Sequence, residues 1–115
     1  MREVQGKVWG ETQPVFELNN VEIHRITIMA GGYCSKHKHA AKYNRFCLIS
    51  GLLDVEVWKN DYSLVDRTQL QQGESMTVPP GEFHRFRAIE PCDCLEIYWV
   101  EIRDDDIQRE EVGGV

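Results

Sequence analysis

Two histidines one residue apart, His37 and His39 in "HKHAAKYN", are followed by Asn44, and a third histidine, His84, closes "VPPGEFH". In an extended segment residues i and i+2 share a face, so the imidazoles of His37 and His39 point the same way and can hold one cation. The stretch also reads as a solvated strand, because Lys36, Lys38 and Lys42 surround the pair. Asn44 stands at an odd separation from both histidines, and a straight strand would turn it to the opposite face. A bend or bulge in "AAKY" is needed to bring it round. Pro79-Pro80-Gly81 is a turn signal that delivers His84 at the start of a new strand. Three imidazoles then converge from two separate segments. His24, in "VEIHRIT", has no such partner and reads as a strand-surface or satisfied core residue.

The elements that must position these groups read as strands. Runs rich in β-branched and aromatic residues recur between turn signals: "VEIHRITIM", "RFCLIS", "LLDVEVW", "YSLVDRT", "SMTV", "HRFRAI" and "LEIYWVEI". Seven or more strands at this spacing predict an all-β sandwich or barrel. "WKNDYS" reads as a hairpin turn, because Asn60 and Asp61 tolerate positive φ. No segment keeps a helical period over three turns. "RDDDIQREEV" reads either as a short C-terminal helix with acids at its start or as an exposed acidic tail.

Length and charge bound the function. At 115 residues the chain reads as one domain, 1-115, so the whole function sits in one pocket or on one surface. The net charge is −6, and residues 101–115 hold six acids against two bases. A chain without a basic stripe offers no electrostatic footprint for nucleic acid or an anionic membrane, and neither is expected as a partner. No apolar run is long enough to span a bilayer, and "MREVQGKVWGETQ" lacks the apolar core of a signal peptide, which gives a cytoplasmic expectation. In that compartment Cys34, Cys47, Cys92 and Cys94 read as free thiols that mostly pack.

Gly31, His37-x-His39, Asn44 and Gly51 have the spacing of the first cupin motif, and Gly73, Pro79-x-Gly81 and His84 that of the second. The chain therefore resembles the cupin superfamily, with motif 1 at 31-51 and motif 2 at 73-88. The resemblance implies a cupin double-stranded β-helix, a jelly-roll barrel whose motif histidines line the interior and bind a divalent metal. It also implies a homodimer, consistent with barrel edges that need covering. Two positions depart from the pattern: Asn44 stands where the family usually has Glu, and Ala88 where it usually has Asn. A looser resemblance, carried by "VWG", "SKHKHAAKYNRF", "VPPGEFHRF" and "DDDIQR", is to the cupin domain of type II mannose-6-phosphate isomerases.

On this reading the metal ligands are His37, His39 and His84. Asn44 either coordinates through its carbonyl or hydrogen-bonds a bound water or substrate from further out. Three neutral imidazoles leave the ion near +2, which draws an anionic ligand into its open positions. Imidazole donors suit Fe or Zn first, with Mn, Co and Ni open, better than magnesium or calcium. Phe46 and Phe86 alternate inward from Asn44 and His84 and are expected to shape the substrate pocket; Glu96 and Tyr98 are the candidate acid or base. The function expected is a metal-dependent enzyme acting on a small anionic or sugar-like molecule. The alternatives are a metal- and ligand-binding module without turnover, or an Fe(II) dioxygenase of the three-histidine type.

Overall fold

In a computed structural model the protein is described over residues 3–59, 64–100 and 113–115. The described residues form nine strands and no helix: β1 (Gln5–Lys7), β2 (Gly10–Leu18), β3 (Val21–Ile28), β4 (Tyr43–Ser50), β5 (Leu53–Trp58), β6 (Val65–Leu70), β7 (Ser75–Val78), β8 (Phe83–Ala88) and β9 (Cys92–Trp99). They make a six-stranded sheet in the order β1-β2-β3-β9-β4-β7 and a three-stranded sheet in the order β6-β5-β8, with every pairing antiparallel. The expected all-β jelly roll is what the chain forms. The turn read at "WKNDYS" and the helix or tail read at "RDDDIQREEV" fall largely outside the described residues.

Strict alternation builds the barrel. Phe46 and Leu48 on β4, Phe86 and Ala88 on β8, Cys92 and Cys94 on β9, and Ile26 and Ile28 on β3 all point inward and are at most 5% exposed. Leu53, Val55 and Val57 face them from β5. Four of these inward rows turn polar at the same end of the barrel. The row on β4 ends at Asn44, that on β8 at His84, that on β9 at Glu96 and that on β3 at His24, all four buried. The apolar part closes one end as a dry core, and the polar part lines the other.

Three sequence expectations need correction. The chain begins its sheet earlier than the sequence reading placed it, with β1 and β2 joined through Val8-Trp9. Pro14 and the charges of "GETQPVFEL" hide this strand, and the pairing slips between Pro14 and Phe16, a bulge that accommodates the proline. Strand β9 starts at Cys92 rather than Leu95, so Cys92 and Cys94 are core residues. The third correction concerns the histidines: residues 36–42 are not a strand, and His37 makes only an isolated antiparallel bridge to His84. The reason is local. Two bends at Ala40 and Ala41 end the extended run.

Glycine is required where the chain turns back tightly. Gly51 has φ +102, and a Cβ there would lie 2.3 Å from the carbonyl oxygen of Pro91. Gly81, at φ +84, lets Pro79-Pro80-Gly81 reverse the chain, and its N–H donates to His39 O at 2.8 Å. One turn therefore launches β8 toward His84 and fastens the segment that carries His39.

Candidate metal centre

The segment before β4 is tied to β8 by backbone bonds. Gly31 N–H donates to Ala88 O, and His37 and His84 exchange both bonds at 3.1 and 2.8 Å. Within this extended stretch the side chains alternate. Lys36 and Lys38 reach outward, with Nζ 4.1 Å from the Trp58 ring centre and 4.7 Å from that of Phe83, while His37 and His39 turn in. Thus lysines and histidines sort to opposite sides, and the two imidazoles share a face although no strand holds them. The bends at Ala40 and Ala41 then bring Asn44 to the inner face of β4, where it is buried beside His84.

His37, His39 and His84 each offer a ring nitrogen, and these nitrogens lie within 4.8 Å of one another. The second nitrogen of two of them is already committed. His37 Nδ1 pairs with Ser35 O at 2.7 Å and His84 Nδ1 with Glu82 O at 3.1 Å. A carbonyl only accepts, so each Nδ1 carries a proton, and Nε2 is the nitrogen left to act as a ligand in the neutral ring. His39 Nε2 is buried without a hydrogen-bond partner. Burial and the proximity of His37 and His39 push His84 down to about 4, against an opposing pull from the Glu82 carbonyl. Burial, then His37 and Lys42, lowers His39. Three imidazoles with converging ring nitrogens, one of them orphaned, are a donor set that could hold a divalent cation. Backbone carbonyls that fix two of the tautomers supply the outer support such a site needs.

Around the histidines lies a cavity of about 670 Å³. His37, His39, Glu96, Tyr98 and Phe86 line it, and His84 is buried behind them at 1% exposure. Phe46 does not line it. Its ring packs 6.4 Å from that of His84 and 6.1 Å from that of Phe86, so it backs the site from within the core. Asn44 Nδ2 is 3.4 Å from His84 Nε2 and 3.4 Å from Glu96 Oε2, and Asn44 Oδ1 is buried without a partner. Tyr98 O–H donates to Glu96 Oε2 at 2.6 Å. Burial raises the Glu96 carboxyl despite the hydrogen bonds from Tyr98 and Asn44, and burial together with Glu96 raises Tyr98.

Sequence reasoning missed part of the lining. His24 borders the cavity, with its ring 5.9 Å from that of Tyr98 and Nε2 3.3 Å from Glu22 Oε2. Its signal lay in the cross-strand register, His24 opposite Glu96, which the sequence alone does not give. Trp9, Lys7 and Gln5 reach the cavity from β1 and the turn after it, the elements that were not read as strands. Trp9 packs edge-on against Phe86 at 5.0 Å. Cys34 also lines the cavity, but burial pushes its thiol up to about 11, which makes it a packing group rather than a thiolate.

The family model described as the Cupin domain matches residues 24–98. No curated protein sequence matches the chain. Among solved structures, KdgF from Halomonas sp. is 17% identical, with 92% of this chain and 92% of that chain covered at a TM-score of 0.74. The cupin domain of Schizosaccharomyces pombe Cnp3 is 14% identical, with 87% and 69% covered at 0.73. An oxalate decarboxylase variant of Bacillus subtilis is 17% identical, with 85% of this chain but 27% of that chain covered at 0.75. The Bacillus subtilis oxalate decarboxylase contains Mn(II) centres. At these identities the likeness is one of fold.

Proposed function

The chain belongs to the cupin domain family, and from that premise we propose that it is a metal-dependent enzyme for a small anionic or sugar-like molecule. The observation that carries the reading is the orphaned, buried His39 Nε2 facing two imidazoles whose outer nitrogens are already used. His37, His39 and His84 would hold the ion, with Fe or Zn the first expectation from the imidazole donors and Mn, Co or Ni next. A divalent cation there supplies Lewis acidity toward a carbonyl or hydroxyl oxygen of the substrate. The chain's own contribution is proton movement and enclosure. Glu96, raised by burial and tied to Tyr98, borders the cavity as a base whose affinity for a proton exceeds that of an exposed carboxylate. Phe86 and Trp9 give the cavity an apolar wall.

A second reading has one observation in its favour: the three ligand groups that converge include no carboxylate. That donor set would suit an Fe(II) dioxygenase, with His37, His39 and His84 holding the ion and the ion supplying the O₂ chemistry. A homodimer in the cytoplasm completes the proposal, and a size-exclusion mass of one subunit would remove the dimer from it.

The test is elemental analysis of protein prepared without nickel affinity, alongside a His39→Ala/His84→Ala variant. About one divalent ion per chain is expected in the first and none in the second, and stoichiometric metal in the variant would reject this site. With the metal known, proton exchange into sugar phosphates in D₂O marks an isomerase and oxygen uptake by the Fe(II) form a dioxygenase. Tight ligand binding without turnover would replace the enzyme by a binding module.

A further inference from the structure

One strand away from Asn44 the barrel wall carries a carboxylate whose surroundings are unusual for a buried acid. The β4–β9 register sets Asn44 opposite Tyr98 and Phe46 opposite Glu96, so Asn44 and Glu96 are diagonal neighbours on the inner face. Glu96 Oε2 accepts from Tyr98 O–H at 2.6 Å and from Asn44 Nδ2 at 3.4 Å, and both donors are neutral. The arginines of the flanking strands β3 and β4, and those of the second sheet, are occupied on the outside of the barrel. Arg25 pairs with Asp93, Arg45 bonds Ser75 and Thr77, and Arg67, Arg85 and Arg87 gather on Glu56. A carboxylate withdrawn from water is retained when a cation faces it, and neutral donors alone compensate it poorly. His24 stands opposite Glu96 on β3, and His37 of the three-histidine cluster acts on it as well; the place for a metal ion is the cluster, and in the metal-free chain Asn44 Nδ2 lies between the two, 3.4 Å from His84 Nε2 and 3.4 Å from Glu96.

We infer that Glu96 on β9 supplies the negative charge that the residue at position 44 does not, balancing the metal across the Asn44 amide instead of binding it directly. The inference rests on the metal reading above. It makes Glu96 a charge-balancing and positioning residue: the ion's three imidazole ligands stay as they are, and the carboxylate has moved to the adjacent strand.

The experiment is a carboxylate swap read by metal affinity. Metal-free wild type, Glu96→Gln, Asn44→Glu/Glu96→Gln and His39→Ala/His84→Ala are titrated with Zn(II) against a chromophoric chelator. Glu96→Gln is expected to bind Zn(II) about 10- to 100-fold more weakly, the usual cost of losing an outer partner of a metal site. The swapped double variant is expected to regain affinity to within about threefold of wild type, because the charge is restored one strand over. Metal-free Glu96→Gln should melt at or above the wild-type midpoint, since an amide is easier to bury than an uncompensated carboxylate. Unchanged affinity in Glu96→Gln, with loss in the double-histidine variant, overturns the assignment and leaves the metal site standing. A loss that the swap does not recover also overturns it, since the role would then be packing. Failure of wild type to bind Zn(II) overturns both readings.

Discussion

Acid should unfold the metal-free protein through His84, and the size of the effect follows from where the ring sits. In the folded chain burial holds His84 at about 4, while in the unfolded chain it titrates near its ordinary 6.5. A histidine whose folded pKa is depressed contributes stability that is present above the unfolded value and is lost as pH falls toward the folded one. The full difference corresponds to about 3 kcal/mol, and allowing for water at the open side of the site leaves about 2 kcal/mol lost between about pH 7 and about pH 4.5. Other groups titrate across the same window. His39, also depressed, adds in the same direction, whereas Glu96, whose carboxyl is raised, opposes it by taking up a proton in the folded state first. The measurement is therefore a difference: urea unfolding of chelator-treated wild type and His84→Gln at the two pH values. Wild type should lose about 2 kcal/mol more than the variant across the interval. Equal losses in the two proteins would mean that His84 is not held neutral by burial, and the account of its lone pair would fall with it.

Two further outcomes follow from the outer surface and the thiols. Glu56 is 4% exposed, with Arg85, Arg67 and Arg87 at 3.3, 3.5 and 3.8 Å; burial alone would raise it, but the guanidinium groups outweigh burial and hold it low. Glu56→Gln should cost about 1–2 kcal/mol in urea unfolding, because the arginines are partly exposed and rehydrate, and a neutral or stabilising result would refute the cluster's role. Of the four thiols Cys47 alone is not buried, so iodoacetamide followed by mass spectrometry should label it first; labelling of Cys94 at a comparable rate in native protein would contradict the packing.

What was legible in the sequence was set by short-range geometry. The spacings from Gly31 to Gly51 and from Gly73 to His84 encode turns, and Gly31, Gly51, Gly73 and Gly81 all have positive φ in the fold. The odd separation of His39 and Asn44 demanded a bend in "AAKY", and the chain bends at Ala40 and Ala41. Alternation placed Phe46, Leu48, Phe86 and Ala88 inside. Non-local pairing was not legible. His24 becomes part of the cavity only because β3 lies beside β9, and β2 was missed because Pro14 is tolerated there by a bulge. The face that His37 and His39 share survived the loss of the strand assumed for them. Extended backbone alternates with or without a ladder, and the lysines between them find aromatic rings outside.

The division of the inner rows of β3, β4, β8 and β9 into an apolar stretch and a polar end has a consequence for how such a chain can change over generations. Positions that keep the barrel folded, such as Phe46, Leu48 and Ala88, are distinct from those that meet a ligand, yet they sit on the same strands two or four residues apart. Exchanging a residue at the polar end leaves the dry packing below it intact, so the wall tolerates new chemistry without paying in foldedness. An asparagine at position 44 is the kind of exchange this layout permits: the barrel inherits its shape from one end and renegotiates its ligand at the other.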